Sequence, residues 1–336
     1  MSRTVAQTAS RARGDAGAPA RAAQVAVLIP CYNEERTVAQ VVAEFRAALP
    51  AARVYVFDNN STDRTAELAR EAGAEVYSER RQGKGYVVQA MFRAVDADAY
   101  VMVDGDGTYP AAAVHALLAP VLSGEADMVV GSRLHTESRS EFRQLNRFGN
   151  RLVRRALNTF FRVRLTDILS GYRAFNRRFV KRVPLFGGGF EIETELTVKA
   201  VERGYRVLEV PVDLVHRPEG SHSKIQFFRD GVLILNTILA LFRDYKPLTF
   251  FGGVGLALLL ASLAFGLAAF VVTVGDGRSM PLALSLAAIL LFACGLLSVT
   301  VGLVLHSIAR RSQEFEYHMH LLADEFERRA GASGGE

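Results

Sequence analysis

Apolar and polar positions follow two different periods along the first third of the chain. Short, uniformly apolar runs predict buried strands, and the segments between them carry apolar residues at the three-to-four-residue spacing of helices. The predicted strands cover 25–29, 54–57, 75–77 and 100–103, and the predicted helices cover 34–49, 63–72 and 84–95. This order is typical of an α/β fold, Rossmann-like, with a mainly parallel sheet covered on both faces. Ligands bind such sheets at the carboxyl ends of their strands.

The second half of the chain contains two long apolar runs without a charged residue. They are Leu248–Val274 and Pro281–Leu305, and each exceeds the roughly 20 residues that cross a bilayer as a helix. A pair of helices buried in a soluble core is the alternative. The short link 275–280 predicts a transmembrane hairpin. The basic residues at the outer ends of the hairpin are Arg243, Lys246, Arg310 and Arg311. They indicate a cell-membrane protein with both termini in the cytoplasm.

Residues 224–247 form an amphipathic juxtamembrane segment. Apolar residues recur at alternating spacings of three and four, and charged residues fill the opposite side. The pattern predicts a helix in the membrane interface, with a helix packed on the preceding domain as the alternative. The whole predicted order is a disordered tail at 1–24, a globular domain at 25–223, this helix, the hairpin at 248–306, and a cytoplasmic helix and tail at 307–336. The tail has no apolar core of a signal peptide.

Composition adds two constraints. The net charge is +5, half of the residues are hydrophobic, and the two cysteines, Cys31 and Cys294, exclude a disulfide framework. Arginines cluster at 143–164, which fits a solvated helix face or attraction to anionic lipid. Nucleic acid is the other common partner of basic runs. No nucleic-acid module accompanies this run, and we expect no nucleic acid to bind.

Two carboxylates stand in the stretch Val101–Pro110. Asp104 and Asp106 directly follow a predicted strand and are separated by one glycine. Hard oxygen ligands at this spacing suit Mg²⁺ or Mn²⁺ held against a substrate diphosphate. An EF-hand loop is excluded, because it requires glycine where Tyr109 stands and glutamate where His115 stands. A plain acidic turn remains the alternative from these residues alone.

Polar clusters follow the other predicted strands as well. They are Pro30–Glu34, Asp58–Asp63 and Gln82–Gly85. Each alone is compatible with a turn, but all four clusters belong at the same edge of a parallel sheet, where they can form one site. The glycines around Lys84 lack the third glycine of a dinucleotide fingerprint, and the chain has no P-loop.

Seven motifs occur in order along the chain: Pro30-x-Tyr-Asn-Glu34, Asp58-x-x-Ser-Thr-Asp63, Asp104-x-Asp106-x-Thr-Tyr-Pro110, Gly131-Ser-Arg133, Asp167-x-x-Ser-Gly-Tyr-Arg173, Glu191-Ile-Glu193 and Arg217-Pro-Glu-Gly-Ser-His-Ser-Lys224. Together they resemble family 2 glycosyltransferases with a GT-A fold, of the polyprenyl-phosphate type that includes dolichyl-phosphate mannose synthase. The resemblance covers about residues 25–246. The two-helix hairpin is similar to that of bacterial, membrane-anchored members.

The resemblance implies roles for these residues. Four residues are implied to line the nucleotide pocket, namely Pro30, Tyr32, Glu34 and Asp58. Asp58 is implied to recognise the base, and Lys84 is implied to lie nearby. Those implied to contact the ribose and hold Mg²⁺ or Mn²⁺ are Asp104 and Asp106. The cations expected at phosphate groups are Arg133, Arg173, Arg217 and Lys224, with Asp167 orienting Arg173 through an ion pair. Direct catalysis by Glu191 or Glu193 is not expected.

The chain departs from the family pattern in two places. Asn59 stands where a second carboxylate is usual, which changes base or ribose contacts, and Thr108 stands where some relatives have glutamine. We therefore do not count Thr108 as a metal ligand.

The implied reaction is the inverting transfer of one sugar from a nucleotide sugar to a polyprenyl phosphate on the cytoplasmic leaflet. A phosphate acceptor is already anionic at neutral pH, so no general base is required. UDP-glucose or UDP-N-acetylglucosamine is the favoured donor, and GDP-mannose is the alternative. A processive polysaccharide synthase is disfavoured because the chain has no tryptophan for its acceptor motif. A non-catalytic membrane adaptor is the remaining alternative. The family also implies a homotetramer and a separate flippase.

Overall fold

The computed structural model describes residues 23–133, 155, 159, 161, 165–215, 227–276 and 281–333. In this part of the chain the strands are β1 (Val25–Cys31), β2 (Arg53–Asp58), β3 (Glu75–Ser78), β4 (Ala99–Met102), β5 (Met128–Ser132), β6 (Arg173–Asn176) and β7 (Val207–Pro211). The helices are α1 (Val38–Ala48), α2 (Thr65–Glu71), α3 (Lys84–Ala94), α4 (Val114–Leu122), α5 (Arg177–Arg182), α6 (Ile192–Glu202), α7 (Phe227–Tyr245), α8 (Pro247–Asp276) and α9 (Leu282–Ser333).

The seven strands form one sheet in the order β3-β2-β1-β4-β6-β5-β7. All neighbours are parallel except β6, which runs antiparallel to both β4 and β5. The predicted mainly parallel α/β sheet is therefore confirmed. The short antiparallel strand was not anticipated, because its first residue is the charged Arg173.

Helices cover both faces of the sheet, as the uniformly apolar strands predict. Successive residues of a strand point to opposite faces. Leu28 therefore belongs to a core under α3, α5 and α6, whereas Val27 and Ile29 belong to a core under α1 and α4. This two-sided packing leaves the carboxyl ends of β1, β2 and β4 together at one edge, where the polar loops begin.

The helices α8 and α9 form an antiparallel hairpin with two segments, Pro247–Val274 and Leu282–Ser312, that are long and apolar enough to cross a membrane. Only 11% and 17% of their most apolar windows are buried, so the described chain does not enclose them in a core. Small residues bring the two helices close, since a side chain at Gly255 would collide with the backbone of Gly295. The predicted separate helix at 307–329 is the end of α9.

The juxtamembrane helix α7 has two kinds of apolar surface. Ile238, Leu241 and Phe242 are buried and join the core under α6, so the packed alternative holds for this side of the helix. Val232 and Leu239 belong to a second apolar group and are 60% and 40% exposed. The helix therefore docks on the domain while keeping an apolar surface uncovered within the described chain.

Candidate active site

The loops that follow β1, β2 and β4 are bonded to one another at the sheet edge. The hydroxyl of Thr37 donates to the carbonyl of Gly105 at 2.6 Å, and the Asn59 N–H donates to the carbonyl of Cys31 at 2.9 Å. A side chain at Gly105 would collide with the sulfur of Cys31, so the acidic loop lies directly on the end of β1. Three of the predicted polar clusters therefore share one site.

The acidic turn after β4 has a fixed conformation. The backbone N–H and the hydroxyl of Thr108 donate to Oδ1 of Asp106 at 3.1 and 2.6 Å, and Gly107 takes a left-handed conformation with φ 72°. Glycine adopts that region without strain. Thr108 thus orients the Asp106 carboxylate, which gives this residue a function other than that of a metal ligand.

Lys84 links the acidic turn to helix α6. Its ammonium lies 2.6 Å from Oδ1 of Asp104 and 2.6 Å from Oε1 of Glu193. Burial alone would lower the pKa of Lys84, but the two carboxylates reverse this effect and raise the pKa above its ordinary value. The lysine is therefore a permanent cation between two acids, at the first residue of α3.

The carboxylates of this turn fit a divalent cation. The described part of the chain contains no cluster of three or more metal-ligating acidic, histidine or cysteine side chains. Mg²⁺ and Mn²⁺ sites for phosphate chemistry are commonly built from one or two carboxylates, with substrate oxygens and water completing the shell. Asp106 suits this role because Thr108 fixes its orientation. Asp104 is partly engaged by Lys84.

Asp58 ends β2 and is only 8% exposed. Its Oδ2 accepts a hydrogen bond from the N–H of Ser61 at 3.3 Å. Its Oδ1 is buried, and no donor from the described residues reaches it. A buried acceptor without a partner costs free energy, so this oxygen is available to a ligand donor such as the N–H of a base.

Asn59, the departure from the family pattern, has a structural role. Its amide nitrogen donates to the carbonyls of Glu79 and Arg81 at 3.0 and 2.7 Å. Its amide oxygen accepts the N–H of Gly83 at 2.7 Å. An aspartate could not donate to the two carbonyls, so the amide holds the loop that leads into Lys84.

The remaining predicted pocket residues lie at the end of β1. Pro30 is within the strand, Tyr32 is 37% exposed, and Glu34 is held in place by a hydrogen bond between its N–H and the hydroxyl of Thr65 at 2.7 Å. Asn33 between them takes a left-handed conformation with φ 52°. The loop is therefore shaped to turn away from the sheet beside Asp58.

Arg133 follows β5 and forms a two-pronged ion pair with Asp167. The distances are 2.7 Å from Nε to Oδ2 and 2.9 Å from Nη2 to Oδ1. Burial alone would raise the pKa of Asp167, but Arg133 lowers it below the ordinary value. The Arg133 side chain remains 32% exposed. The expected ion pair of Asp167 with Arg173 is therefore wrong, because Arg133 takes both carboxylate oxygens.

Arg173 was expected at a phosphate group, but it is fully buried and its guanidinium bonds to protein acceptors. Its guanidinium donates to the carbonyls of Ser170, Ile168 and Glu193 at 2.9, 2.5 and 3.1 Å. It also donates to the hydroxyl of Thr197 at 3.0 Å. Burial lowers the pKa of Arg173 to about 10. The residue fastens β6 and the preceding loop to α6.

A glycine loop next to Lys84 escaped the sequence reasoning. Glu191 accepts the N–H groups of Gly188 and Gly189 at 2.9 Å each, and Glu195 accepts that of Gly187 at 2.8 Å. The loop in turn accepts the N–H of Gly85 through the Gly188 carbonyl at 3.1 Å. The available signal was the run of three glycines at 187–189, followed after Phe190 by glutamates at every second position, 191, 193 and 195. They diverge at the start of α6, and Glu193 alone points to Lys84.

Two predicted cations cannot be placed. Arg217 and Lys224 lie outside the residues that the structure describes, as does most of the arginine run at 143–164. Arg155, the one arginine of that run within the described residues, is exposed. The structure thus brings together Lys84, Asp104 and Asp106, with Asp58 and the end of β1 at the same edge, and it separates Arg173 from them.

The fold and this acidic edge define a glycosyltransferase of the GT-A type. The family described as Glycosyl transferase family 2 matches residues 26–183. Glycosyltransferase AglJ of Haloferax volcanii is 38% identical over 244 residues, covering 72% of this chain and 80% of that relative. Dolichyl-phosphate hexose transferase of the same organism is 30% identical over 215 residues, covering 64% of this chain and 92% of that relative. The chain belongs to glycosyl transferase family 2.

Solved structures agree on the fold. Glucosyl-3-phosphoglycerate synthase from Mycobacterium tuberculosis, crystallised with Mn²⁺, uridine diphosphate and phosphoglyceric acid, matches with a TM-score of 0.56 and 23% identity. The match covers 66% of this chain and 79% of that chain. At this identity the likeness establishes the GT-A fold alone.

Proposed function

We propose that this protein transfers a single sugar from a nucleotide sugar to a polyprenyl phosphate at the cytoplasmic leaflet of the cell membrane, with inversion. The observation that carries the proposal is the acidic turn of Asp104 and Asp106 beside Lys84, in a chain with two membrane-length helices. UDP-glucose or UDP-N-acetylglucosamine is the favoured donor, and GDP-mannose is the alternative.

Asp58 supports the proposal that the site binds a nucleotide donor. Its buried Oδ1 lacks a donor in the described chain. Uracil and guanine both carry a ring N–H that can fill this position, so the base is held by one strong hydrogen bond to a carboxylate. The arrangement supports a nucleotide with either base, and the donor assay below separates them.

The diphosphate end relies on Asp106 and Lys84. A divalent cation bound at Asp106 would supply Lewis-acid stabilisation of the leaving diphosphate. Lys84 holds Asp104 at 2.6 Å and so fixes the neighbouring carboxylate. The start of α3, at which Lys84 lies, adds the positive end of a helix dipole on the side where the anionic donor enters.

The acceptor end is supported by the membrane hairpin and by the dolichyl-phosphate hexose transferase relative, whose name states a lipid phosphate substrate. A phosphate monoester has a second pKa of about 6, so at neutral pH it attacks as an anion. The site then needs a positioned cation in place of a base. Arg133 is a candidate for this cation, because its side chain stays 32% exposed although it pairs with Asp167. The uncovered apolar surface of α7 supports its place in the membrane interface.

The test is a transfer assay with the full-length protein, polyprenyl phosphate and either Mg²⁺ or Mn²⁺. Radiolabelled UDP-glucose, UDP-N-acetylglucosamine and GDP-mannose are supplied separately, and lipid-linked label is extracted into organic solvent. We expect label from one donor, lost in Asp106→Asn. The matched control is Asp96→Asn, because Asp96 is 64% exposed and pairs only with Arg177 and Lys181 among the described residues.

Two outcomes would contradict the proposal. Metal-dependent nucleotide binding without transfer from any donor would favour the adaptor alternative. Label that enters a water-soluble product with a small acceptor, and not the lipid, would show a glycosyltransferase with a different acceptor.

A further inference from the structure

A cavity of about 550 Å³ lies between the globular domain and the last part of α9. Its walls come from α3, from α5 and the segment after it, from Arg203 at the end of α6, and from Phe315 and Met319 of α9. Sites for small molecules commonly have volumes of about 300–1,000 Å³. Arg203 lies ten residues beyond Glu193 along α6, which corresponds to about 15 Å. The cavity is therefore separate from the acidic turn and its donor site.

The α9 wall of the cavity lies at the depth of lipid headgroups. The apolar span of α9 ends at Ser312, and the helix continues to Ser333. Phe315 and Met319 follow Ser312 by three and seven residues, so they lie about 5 and 10 Å farther along the helix axis. The polar layer of a bilayer is roughly 5–8 Å thick on each side. This wall therefore begins within that layer.

The wall that belongs to the globular domain is connected to the other membrane helix. Lys246 directly precedes the apolar span Pro247–Val274 of α8, and its ammonium lies 3.2 Å from Oε2 of Glu202. Arg203, the next residue, lines the cavity. Two independent connections, one through α8 and one through α9, therefore put the cavity at the membrane surface.

Part of the cavity wall is apolar. Phe92 and Val180 line the cavity and belong to the core of the globular domain. Opposite them, Phe315 and Met319 stay 66% and 50% exposed. Removing apolar surface from water is favourable, so a hydrocarbon chain in the cavity would be stabilised by covering these two side chains.

The rest of the wall is cationic. Four lining residues carry a positive charge, namely Arg93, Lys181, Arg182 and Arg203. No lining residue within the described chain is acidic. The ammonium of Lys181 is fixed in place, because it donates to the carbonyls of Phe92 and Val95 at 3.0 and 2.6 Å. Asp96 offsets this charge only in part, since it lies 3.7 Å from Lys181 and pairs more closely with Arg177 at 3.0 Å.

We propose that this cavity binds one anionic phospholipid of the membrane. The lipid phosphate lies against the cationic wall, and the upper part of an acyl chain covers Phe315 and Met319. Guanidinium groups suit phosphate because they offer several donors in one plane, and basic clusters beside a membrane helix attract anionic headgroups. A lipid bound in this way joins α9 to the globular domain and sets the position of that domain over the membrane.

The observations favour a phospholipid over a water-soluble anion and over the acceptor lipid. A soluble anion would leave the apolar side chains uncovered. An acceptor phosphate has to reach the donor sugar at the acidic turn, and a phosphate held at Arg203 is about 15 Å away along α6. The inference rests on the membrane placement of the hairpin and is independent of the sugar that is transferred.

The test uses fluorescence, because the chain contains no tryptophan. Phe315→Trp puts a single reporter in the cavity wall. The full-length variant is reconstituted into phosphatidylcholine vesicles that contain phosphatidylglycerol or phosphatidylcholine brominated near the top of its acyl chains, since bromine quenches a tryptophan in contact with it. We expect the brominated phosphatidylglycerol to quench at a lipid fraction at least about fivefold lower, which is the preference that one basic residue gives at an anionic surface.

Two controls separate a site from general attraction. Phe270→Trp puts the reporter at a position of α8 that is 60% exposed, where both brominated lipids should quench equally. Arg93→Gln with Arg203→Gln removes two charges from the cavity and should abolish the preference at Phe315→Trp. Arg178→Gln with Arg206→Gln is the matched pair, because both are exposed arginines that do not line the cavity. Arg93→Gln alone, at an exposed residue, gives the same comparison if the cavity pair does not fold.

Four outcomes would overturn the proposal. The first is equal quenching of Phe315→Trp by the two lipids, and the second is a preference that survives the cavity substitutions or is lost equally in both arginine pairs. The third is recovery of Phe315→Trp fluorescence on addition of polyprenyl phosphate, which would assign the cavity to the acceptor. The fourth is the absence of quenching at Phe270→Trp, which would contradict the membrane placement on which the site depends.

Discussion

Replacing Lys84 by methionine tests the organisation of the site most directly. The ammonium is the shared partner of Asp104 and Glu193, and its side chain is only 12% exposed. Methionine has a similar length without charge. The variant would leave two carboxylates facing each other around an apolar side chain, one of them 5% exposed.

The magnitude follows from the distances. Two contacts of 2.6 Å to the same nitrogen put the two carboxylate oxygens no more than about 5 Å apart. Two like charges at that distance repel by about 3 kcal/mol at an effective dielectric constant of about 20. This agrees with the roughly 3–5 kcal/mol lost when one partner of a buried ion pair is removed. For a domain of this size, that corresponds to a fall in the unfolding temperature of about 6–12 °C.

The assay is thermal unfolding of the detergent-solubilised chain, with nucleotide affinity measured beside it. Lys84→Met combined with Glu193→Gln removes the repulsion and should recover most of the lost stability. Arg53→Met is the control, because it breaks the exposed pair with Glu75, where about 1 kcal/mol or less is at stake. A double variant that is less stable than Lys84→Met alone would refute the electrostatic reasoning, as would a Lys84→Met variant as stable as the control.

Three further predictions concern the supports of the site. Arg173→Met should lower the free energy of unfolding by about 3 kcal/mol or more, because buried carbonyls lose their donors; an unchanged unfolding temperature would contradict this. Asn59→Asp, which restores the usual acidic pair, should destabilise by about 2 kcal/mol and weaken nucleotide binding; tighter binding would refute it. Asp167→Asn should lower the unfolding temperature at pH 7 through the loss of the Arg133 pair. Because the folded-state pKa of Asp167 is lowered, this gap is expected to persist above about pH 4 and to close as pH falls through the folded pKa; a gap that closes between pH 7 and 5 would contradict the assignment.

The sheet and the membrane hairpin were accessible from the sequence because each rests on a strong local pattern. Three uniformly apolar strands indicate a buried parallel sheet, and charge-free runs longer than a bilayer crossing are typical of membrane-spanning helices. The position of Asp104 and Asp106 was equally accessible, since a carboxylate directly after a buried strand lies at the sheet edge.

The roles of the charged residues were less accessible because they depend on which partner lies nearest in space. The motif that contains Arg173 predicts a phosphate-binding residue. In the structure, Arg173 is the first residue of an antiparallel strand and is completely buried. Asp167 lies six residues from Arg173, yet it pairs with Arg133, thirty-four positions away, across the end of β5. No period or spacing in the sequence encodes these choices.

The charges at the described edge lead us to predict that the proposed reaction depends on a divalent cation. Asp58, Asp104, Asp106 and Glu193 supply four carboxyl groups, and Lys84 pairs with two of them, Asp104 and Glu193. Arg133 offsets this excess only in part, because it already pairs with Asp167. A donor diphosphate brings further negative charge into a site that is already acidic, and we expect a bound dication to offset the repulsion. Chelation of the metal should therefore abolish nucleotide binding itself, measured by titration calorimetry, and should not merely slow the transfer step. Undiminished nucleotide affinity after chelation would show that cations outside the described residues take this role.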